Sequence, residues 1–503
     1  MSCSKIFSGD LPELTFKIMK YFQNDYSTLH SCILVNRLWC RLSIPLLWEN
    51  PFSIHTENYN FIEIYLHSLN DDFITNKYKI INKSSHSNIL FNYPRFLKYL
   101  NTNEFIFSVD KWSKLVTSTT NSEDIKKLTD ICVLLFKIFI ENEVNLHTLE
   151  IEFQSNYYQT CFGIILDELI LKNTNFIHNI RNLNLYNVYN YEENSVIKDR
   201  ISQMINLQQN LKKILISDRF SLYRSLLLSK DYNCSNTLNT IVFHNVDFKG
   251  INNLQKIFEQ LNVLKSVHIF YCGSLNTGFT QQIINLTKPF KLKSLFINEE
   301  LQIESLQQLL QKSGDYIENF EYSLRPDPSL NQQLLELIAK YCKNINFLHF
   351  NGYRGRIVYQ MFNLIENIKQ NLNYLLISNI NFHIDCSIIL QNLGQVLPSK
   401  LEYMSFSLTI KGSDFRLFLE NSQDTFINKL LIVQHGSDDI LHYTKEYIMK
   451  ERRVKYLSIK NTTNRINLFD LKDEVKEFKL HNIIVRYHND LFIDIINYIK
   501  NID

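Results

Sequence analysis

Apolar positions return along this chain at a fixed interval. From about residue 146 onward, an apolar residue is followed three and then five places later by two more, the pattern L-x-x-L-x-L. It opens at Leu146 (LHTLEI), Ile180, Leu211, Leu238 (LNTIVF), Leu264, Leu292, Ile317, Ile345, Leu372, Leu401, Ile427, Val454 and Val475 (VKEFKL). Successive starts lie 34, 31, 27, 26, 28, 25, 28, 27, 29, 26, 27 and 21 residues apart, so the central run clusters around 27. A single copy of so loose a motif means nothing in a chain rich in Ile and Leu; the shared spacing is what carries the reading.

The last four residues of each match alternate between two faces, which predicts a strand. Between matches, INNLQKIFEQL (251–261) and IVYQMFNLIENI (357–368) place apolar residues three and four apart, which predicts helices. A unit of about 27 residues cannot bury both a strand face and a helix stripe by itself, so neighbours must stack into one core. Strands joined by helical crossovers run parallel, with right-handed connections. The irregular first and last intervals are expected of capping units.

The stretch LPELTFKIMKYFQNDYSTLHSCILVNRLWCRLSIPLLWENPF (11–52) reads differently. It holds 22 apolar or aromatic residues among 42 and predicts three short helices. Pro12 sits early in the first turn, where its missing donor costs nothing, and Leu11, Leu14, Ile18 and Phe22 form one stripe. Asn24 and Asp25 make a turn before YSTLHSCILV, Asn36 is placed to cap NRLWCRLSI, and Pro45 is expected to break that helix. A segment of about 40 residues buries at most roughly 60% of what its unfolded chain exposes. Some of its apolar surface must therefore be covered by a partner or by the rest of the chain. Residues 53–145 read as a mostly helical connector, with helices expected at 61–69, 94–100 and 130–141 and a polar loop at 71–88.

Composition narrows the function classes. Hydrophobic content of 45% and charged content of 21% suit a folded chain. Lys plus Arg number 53 against 51 for Asp plus Glu, with no run of five like charges, so neither nucleic acid nor a membrane surface is indicated as a partner. Nine scattered cysteines form no CxxC pair, which disfavours a zinc cluster or redox motif. No cationic-then-apolar leader is visible, and the run ICVLLFKIFI (131–140) is too short to span a bilayer, so a cytoplasmic or nuclear location is expected. No Gly-rich phosphate loop, H-E-x-x-H or G-x-S-x-G occurs, so the expectation is a protein that is not an enzyme and needs no cofactor or metal.

Two stretches resemble known families. Residues 146 to about 485 resemble the leucine-rich repeats, in the longer, helix-containing class found in F-box proteins, and the resemblance implies an α/β horseshoe. That family places Asn or Cys at the ninth position of each unit to tie neighbouring turns together. Here the position holds Val188, Val246, Ile380 and Ile483, and only Cys272 fits. At the N-terminus, Leu11-Pro12-Glu13-Leu14, then Leu34-Val35-Asn36-Arg37 with Trp39, then Pro45-Leu46-Leu47-Trp48 resemble an F-box, in the form found in large fungal families.

The whole is thus expected to be α/β: a three-helix F-box (1–52), the connector (53–145) and a leucine-rich-repeat-like solenoid (146–503). The resemblance implies that the F-box docks on the Skp adaptor of a cullin-RING ubiquitin ligase. Leu11, Pro12, Leu14 and Ile18 would meet the adaptor from the first helix and Leu34 and Val35 from the second element, with Trp39 and Trp48 packing internally. The repeats would select an unknown protein substrate. On a horseshoe, outward strand positions line the concave wall, so His244, His268, Phe270, Phe296, Phe347, His349 and Tyr374 are the expected substrate contacts, with the four aromatics as exposed anchors. Cover of these residues by helices of the connector or the C-terminus is the open alternative. So is a repeat scaffold or adaptor-bound protein outside any ligase.

Overall fold

The computed structural model describes residues 11–23, 25–54, 59–67, 90–117, 124–153, 155–188, 195–217, 234–297, 302–323, 327–352, 357–379 and 386–502. The loop expected at 71–88 and the ninth-position Ile380 lie outside them. Two compact units make up the chain, Met1–Asn239 and Thr240–Asp503.

The first unit opens with α1 (Pro12–Lys20), α2 (Tyr26–Ile33) and α3 (Arg37–Leu47). Asp25 caps α2 by accepting from the Thr28 N–H at 3.0 Å, and Asn36 caps α3 by accepting from the Trp39 N–H at 2.9 Å. Pro45 does not break α3 as its position in the sequence suggests. It falls in the last turn, where the missing donor costs one bond, and the turn closes again through Trp48 N–H to Ile44 O at 3.1 Å. Met19, Leu29, Cys32 and Leu46 form the small core of these helices, with Phe22, Trp39, Leu42 and Leu47 packed against it.

Aromatic side chains join this core to residues 59–105. Trp48 lies 5.3 Å from Tyr65 and 4.4 Å from Tyr93, ring centre to ring centre, and Phe52 lies 5.0 Å from Phe105. The Glu49 carbonyl accepts from the N–H groups of Lys98 and Tyr99 at 2.9 and 3.1 Å. Helices α4 (Phe61–Leu66), α5 (Thr102–Thr117) and α6 (Asp124–Glu141) belong to the same unit, and β1 (Tyr99–Asn101) leads directly into α5 and packs on it. The helix expected at 94–100 is absent: Pro94 sits in a single 3-10 turn, Tyr93–Phe96, and the chain then extends because β1 finds a parallel partner in β2 (Thr148–Phe153). β3 (Asn182–Val188) and β4 (Lys213–Ser217) continue that parallel order.

The second unit is built on nine parallel strands in sequence order: β5 (Thr240–His244), β6 (Ser266–Phe270), β7 (Leu292–Phe296), β8 (Asn319–Ser323), β9 (Phe347–Asn351), β10 (Tyr374–Ser378), β11 (Lys400–Leu408), β12 (Phe426–Gln434) and β13 (Val454–Asn461), with the short antiparallel strand Ile466–Asn467 beside the last. Helices fill the intervals, including Leu254–Gln260 and Ile357–Ile368, where the sequence period placed them. Their stripes bury against one sheet face, on which Ile269, Leu295, Phe320, Leu348 and Leu375 are fully enclosed. This is the α/β repeat arrangement that the motif spacing predicts.

Twelve of the thirteen motif copies fall on strands. The last, Val475 onward, lies in a helix, Lys472–Leu480. Its short interval leaves no room for a crossover, Val475 and Phe478 fit a helical period equally well, and the partner of β13 is Ile484–Val485 instead. The apolar ninth positions are also explained. Val246 and Ile483 are buried, as is the fitting Cys272, whose thiol reaches Phe270 O at 3.5 Å, while the turns are tied by backbone: Asn245 N–H to Phe270 O at 2.9 Å, Tyr271 N–H to Phe296 O at 2.8 Å, and Gly352 N–H to Ser378 O at 2.7 Å. Asn245, Tyr271 and Gly352 take positive φ values of 53, 55 and 89° there.

Helix packing is tight at Gly394 in Ser387–Val396, where a Cβ would come within 2.8 Å of the Asn421 Cβ and 2.9 Å of the Phe418 carbonyl oxygen. Gly394→Ala should therefore lower the thermal midpoint: overpacking against backbone costs about 1–3 kcal/mol, more than the roughly 1 kcal/mol of helix propensity it gains. Gly163→Ala, which meets only the far end of the Ile197 side chain at 3.3 Å, should not, and thermal unfolding of both variants checks the contrast.

Candidate functional site

On the three N-terminal helices, polar and apolar residues sort in an unusual way. α1 turns Thr15 and Met19 inward, so Leu14 and Ile18 face outward, 39% and 37% exposed. Leu11 and Pro12 are half-buried. Phe22, expected on the same stripe as Leu14 and Ile18, instead packs on the core. In α2, Leu29 and Cys32 point inward, and the chain then leaves the helix through Leu34 and Val35, which are 77% and 51% exposed. This turn is held at both ends, by Leu34 N–H to Ser31 O at 3.2 Å and by the Asn36 cap of α3. Two aliphatic side chains are thus presented to solvent by fixed backbone. α1 and α2 both pack on α3, so the two outward pairs belong to one small unit. Trp39 is half-buried against the core of that unit, and Trp48 is buried at its junction with the aromatic cluster.

The outward strand positions of the second unit require a correction. His244, His268, Phe270, Phe296 and Phe347 are buried rather than exposed, while His349 and Tyr374 are half-buried. Parallel strands about 4.8 Å apart bring side chains of one face into contact, along a row or between adjacent rows, so each ring shields the next. Centroid distances are 4.7 Å for Phe270 with Phe296, 5.8 Å for Phe296 with Phe347, 6.1 Å for Phe347 with Tyr374 and 6.4 Å for Tyr374 with Tyr403. Polar members of the same face bond across strands: Ser266 Oγ to Thr240 Oγ1 at 3.1 Å, His268 Nδ1 with Ser294 Oγ at 2.8 Å, and Asn319 Nδ2 to Ser294 Oγ at 2.9 Å.

A third cover comes from far along the chain. The Tyr498 ring lies on Phe347 at 4.9 Å, and its hydroxyl donates to Asn319 Oδ1 at 2.7 Å. Burial pushes the Tyr498 phenol well above its usual range, so it stays a neutral donor. For Phe347, the alternative of cover by a C-terminal helix is what the structure contains.

In register with Phe296, Glu321 and His349 stand on the next two strands and meet Ser378 of β10. His349 Nδ1 lies 3.0 Å from Glu321 Oε2 and Nε2 lies 3.1 Å from Ser378 Oγ, while the Tyr271 hydroxyl donates to the same Glu321 oxygen at 2.7 Å. Burial and the Glu321 carboxylate push the Tyr271 phenol well up. The order carboxylate, imidazole, hydroxyl is that of acyl-transfer triads. Ser378, however, stands in an extended strand, and the next backbone N–H, that of Asn379, is bonded to Ser407 O at 3.0 Å rather than available to an oxyanion. The group binds strands together.

A 460 Å³ cleft lies where β12 and β13 meet residues 486–491, lined by Asn428, Lys429, Lys455, Tyr456, Arg486, Asp490 and Leu491. Three cations against one carboxylate leave it basic. Among the described residues, no group of three or more His, Cys, Asp or Glu is placed to hold a metal, and no helix is long and apolar enough to cross a membrane. Sequence reasoning missed Glu321, although it occupies the fifth position of its own motif copy, IENFEY. It also missed Tyr498, which no period connects to Asn319.

No family model matches the chain, and no curated protein matches it. Among solved structures it is similar to the crystal structure of the leucine-rich repeat-containing protein LegL7 from Legionella pneumophila, at 11% identity and a TM-score of 0.33, covering 68% of this chain and 93% of that one. The likeness is loose, and the α/β repeat fold stands on the register of this chain's own strands.

Proposed function

We propose that this chain is a non-catalytic recruiting subunit of a ubiquitin ligase, acting in the cytoplasm or nucleus. In this reading the three N-terminal helices are an F-box that docks on a Skp adaptor and through it on a cullin-RING ligase, and the repeats hold a protein target. The observation that carries the reading is the fixed turn that holds Leu34 and Val35 in solvent while the core of the same helices is complete without them. Exposed aliphatic groups on rigid backbone suit a partner surface, because little ordering cost is left to meet on binding. Leu14 and Ile18 extend the apolar contact, with the half-buried Leu11 and Pro12 at its margin. The mechanism is one of effective concentration: a target held by the repeats is kept near a ubiquitin-charged enzyme that this chain does not itself supply.

The test is titration of the purified chain with recombinant Skp adaptor. Micromolar or tighter binding is expected. Leu34→Asp should weaken it roughly 30- to 150-fold, the about 2–3 kcal/mol of one buried leucine, and Val35→Asp somewhat less. Intact protein that ignores the adaptor at micromolar concentration would sink the proposal, as would a Leu34→Asp chain that binds unchanged. Stability should divide the same residues the other way. Leu34→Asp should stay within about 0.5 kcal/mol of the parent in urea unfolding, whereas Met19→Ala, in the small core, should lose about 2–5 kcal/mol.

A further inference from the structure

The segment from Arg486 to Ile502 has the properties of a bound peptide. Its tie to the sheet is made at its start, where Ile484–Val485 pairs with β13 and the Arg486 N–H bonds Leu457 O at 2.9 Å. From there it runs back over the strand face, against the strand order. Helix His488–Leu491 packs on β13 and β12, the Ile493 backbone amide lies beside the Tyr403 hydroxyl of β11, and Tyr498 in helix Ile495–Lys500 reaches Phe347 of β9 and Asn319 of β8. Helices of four and six residues do not persist in water without a surface to lie on. Many of the segment's hydrogen bonds close within itself, such as Phe492 N–H to His488 O and Tyr498 N–H to Asp494 O. Leu491 and Ile499 are buried while Phe492 remains exposed, as in a short helical ligand with one anchoring face, and Tyr487, next to the tie, packs on Phe469 at 4.1 Å and donates to Asp470 Oδ1 at 2.7 Å.

The surface beneath has contacts of its own. The rings of Phe347, Tyr374 and Tyr403 stack on their own strands, and the Asn319 amide is oriented by its Nδ2 bond to Ser294, which turns Oδ1 toward the visitor. We infer that the face of β8 to β11 is a peptide-binding surface that carries residues 487–502 as a resident ligand, and that a target segment presenting an unmodified tyrosine followed by an aliphatic residue on a helical turn takes its place. The tyrosine is specified by the ring stacked on Phe347 and the hydroxyl donated to Asn319, and the aliphatic neighbour by the buried Ile499. This inference rests on the reading of the repeats as the target-binding part. Its test contains no adaptor, so failure here and failure of adaptor docking are separate results.

The experiment uses a chain ending at Arg486 and a fluorescent synthetic peptide of residues 487–503, followed by anisotropy. The shortened chain should bind the peptide at micromolar concentration. A Tyr498→Ala peptide should bind about tenfold more weakly or worse, and a Tyr498→Phe peptide should fall between the two. The full chain should take up the labelled peptide at least about tenfold more weakly, because its own tethered copy competes at high effective concentration. A shortened chain that melts like the parent yet ignores the peptide overturns the inference, as does a full chain that binds the peptide equally well. Should the shortened chain not fold, hydrogen exchange on full-length Tyr498→Ala decides. Exchange at 487–502 faster by about tenfold or more, with β9 and β10 still protected, supports a displaceable ligand; protection lost throughout both strands shows the segment to be part of the fold and ends the proposal.

Discussion

A single parallel strand backed by one helix leaves a row of N–H and C=O groups open on each side and half of its apolar surface bare. No unit in this chain solves that problem alone. Each strand from β5 to β13 has its backbone bonded by its neighbours and its helix-facing side chains enclosed by the helices beside it. Packing, turn geometry and the positions of functional groups all depend on this mutual support. It explains why Val246 and Ile483 can stand where a bonding side chain is expected, since the backbone continues from turn to turn. It also explains why Gly394 must stay small, since adjacent helices are set by the strand spacing and cannot move apart freely.

The same dependence decides how much could be read from the residues alone. Strand positions were legible because the alternation of Leu348 and Phe350 inward with His349 outward is local. The helix stripe of 357–368 was legible for the same reason, and all of Ile357, Met361, Leu364, Ile365 and Ile368 are buried. Where two periods fit the same few residues, as at Val475 and Phe478, local pattern could not choose, and the available neighbour did. The segment 94–100 went the same way: its apolar residues suit a helix, but a pairing edge at 148–150 drew 99–101 into the sheet.

The outward face was legible as a face and not as a surface. Alternation places Phe270, Phe296 and Phe347 opposite the helices, but it carries no information about what lies on them. Stacking along the row needs only strand spacing and could have been anticipated; Tyr498 could not, because nothing local marks a residue 179 positions from Asn319 as its partner. At the N-terminus the reverse held. Three short helices with too many apolar residues for their size implied leftover surface, and Leu34 and Val35 are in solvent because Leu29, Cys32 and Leu46 already fill the interior. Trp48 and Phe52 absorb much of the remainder through Tyr65, Tyr93 and Phe105.

The long sequence separation between Asn319 and Tyr498 also sets an order of events during translation. At roughly 5–20 residues added per second, β8 and β9 leave the ribosome on the order of 10–40 s before the segment that lies over them. During that interval the nascent chain displays Phe347 beside a pairing edge that is still being extended. An apolar ring that ends fully enclosed is thus without its Tyr498 cover until the chain is almost completely made.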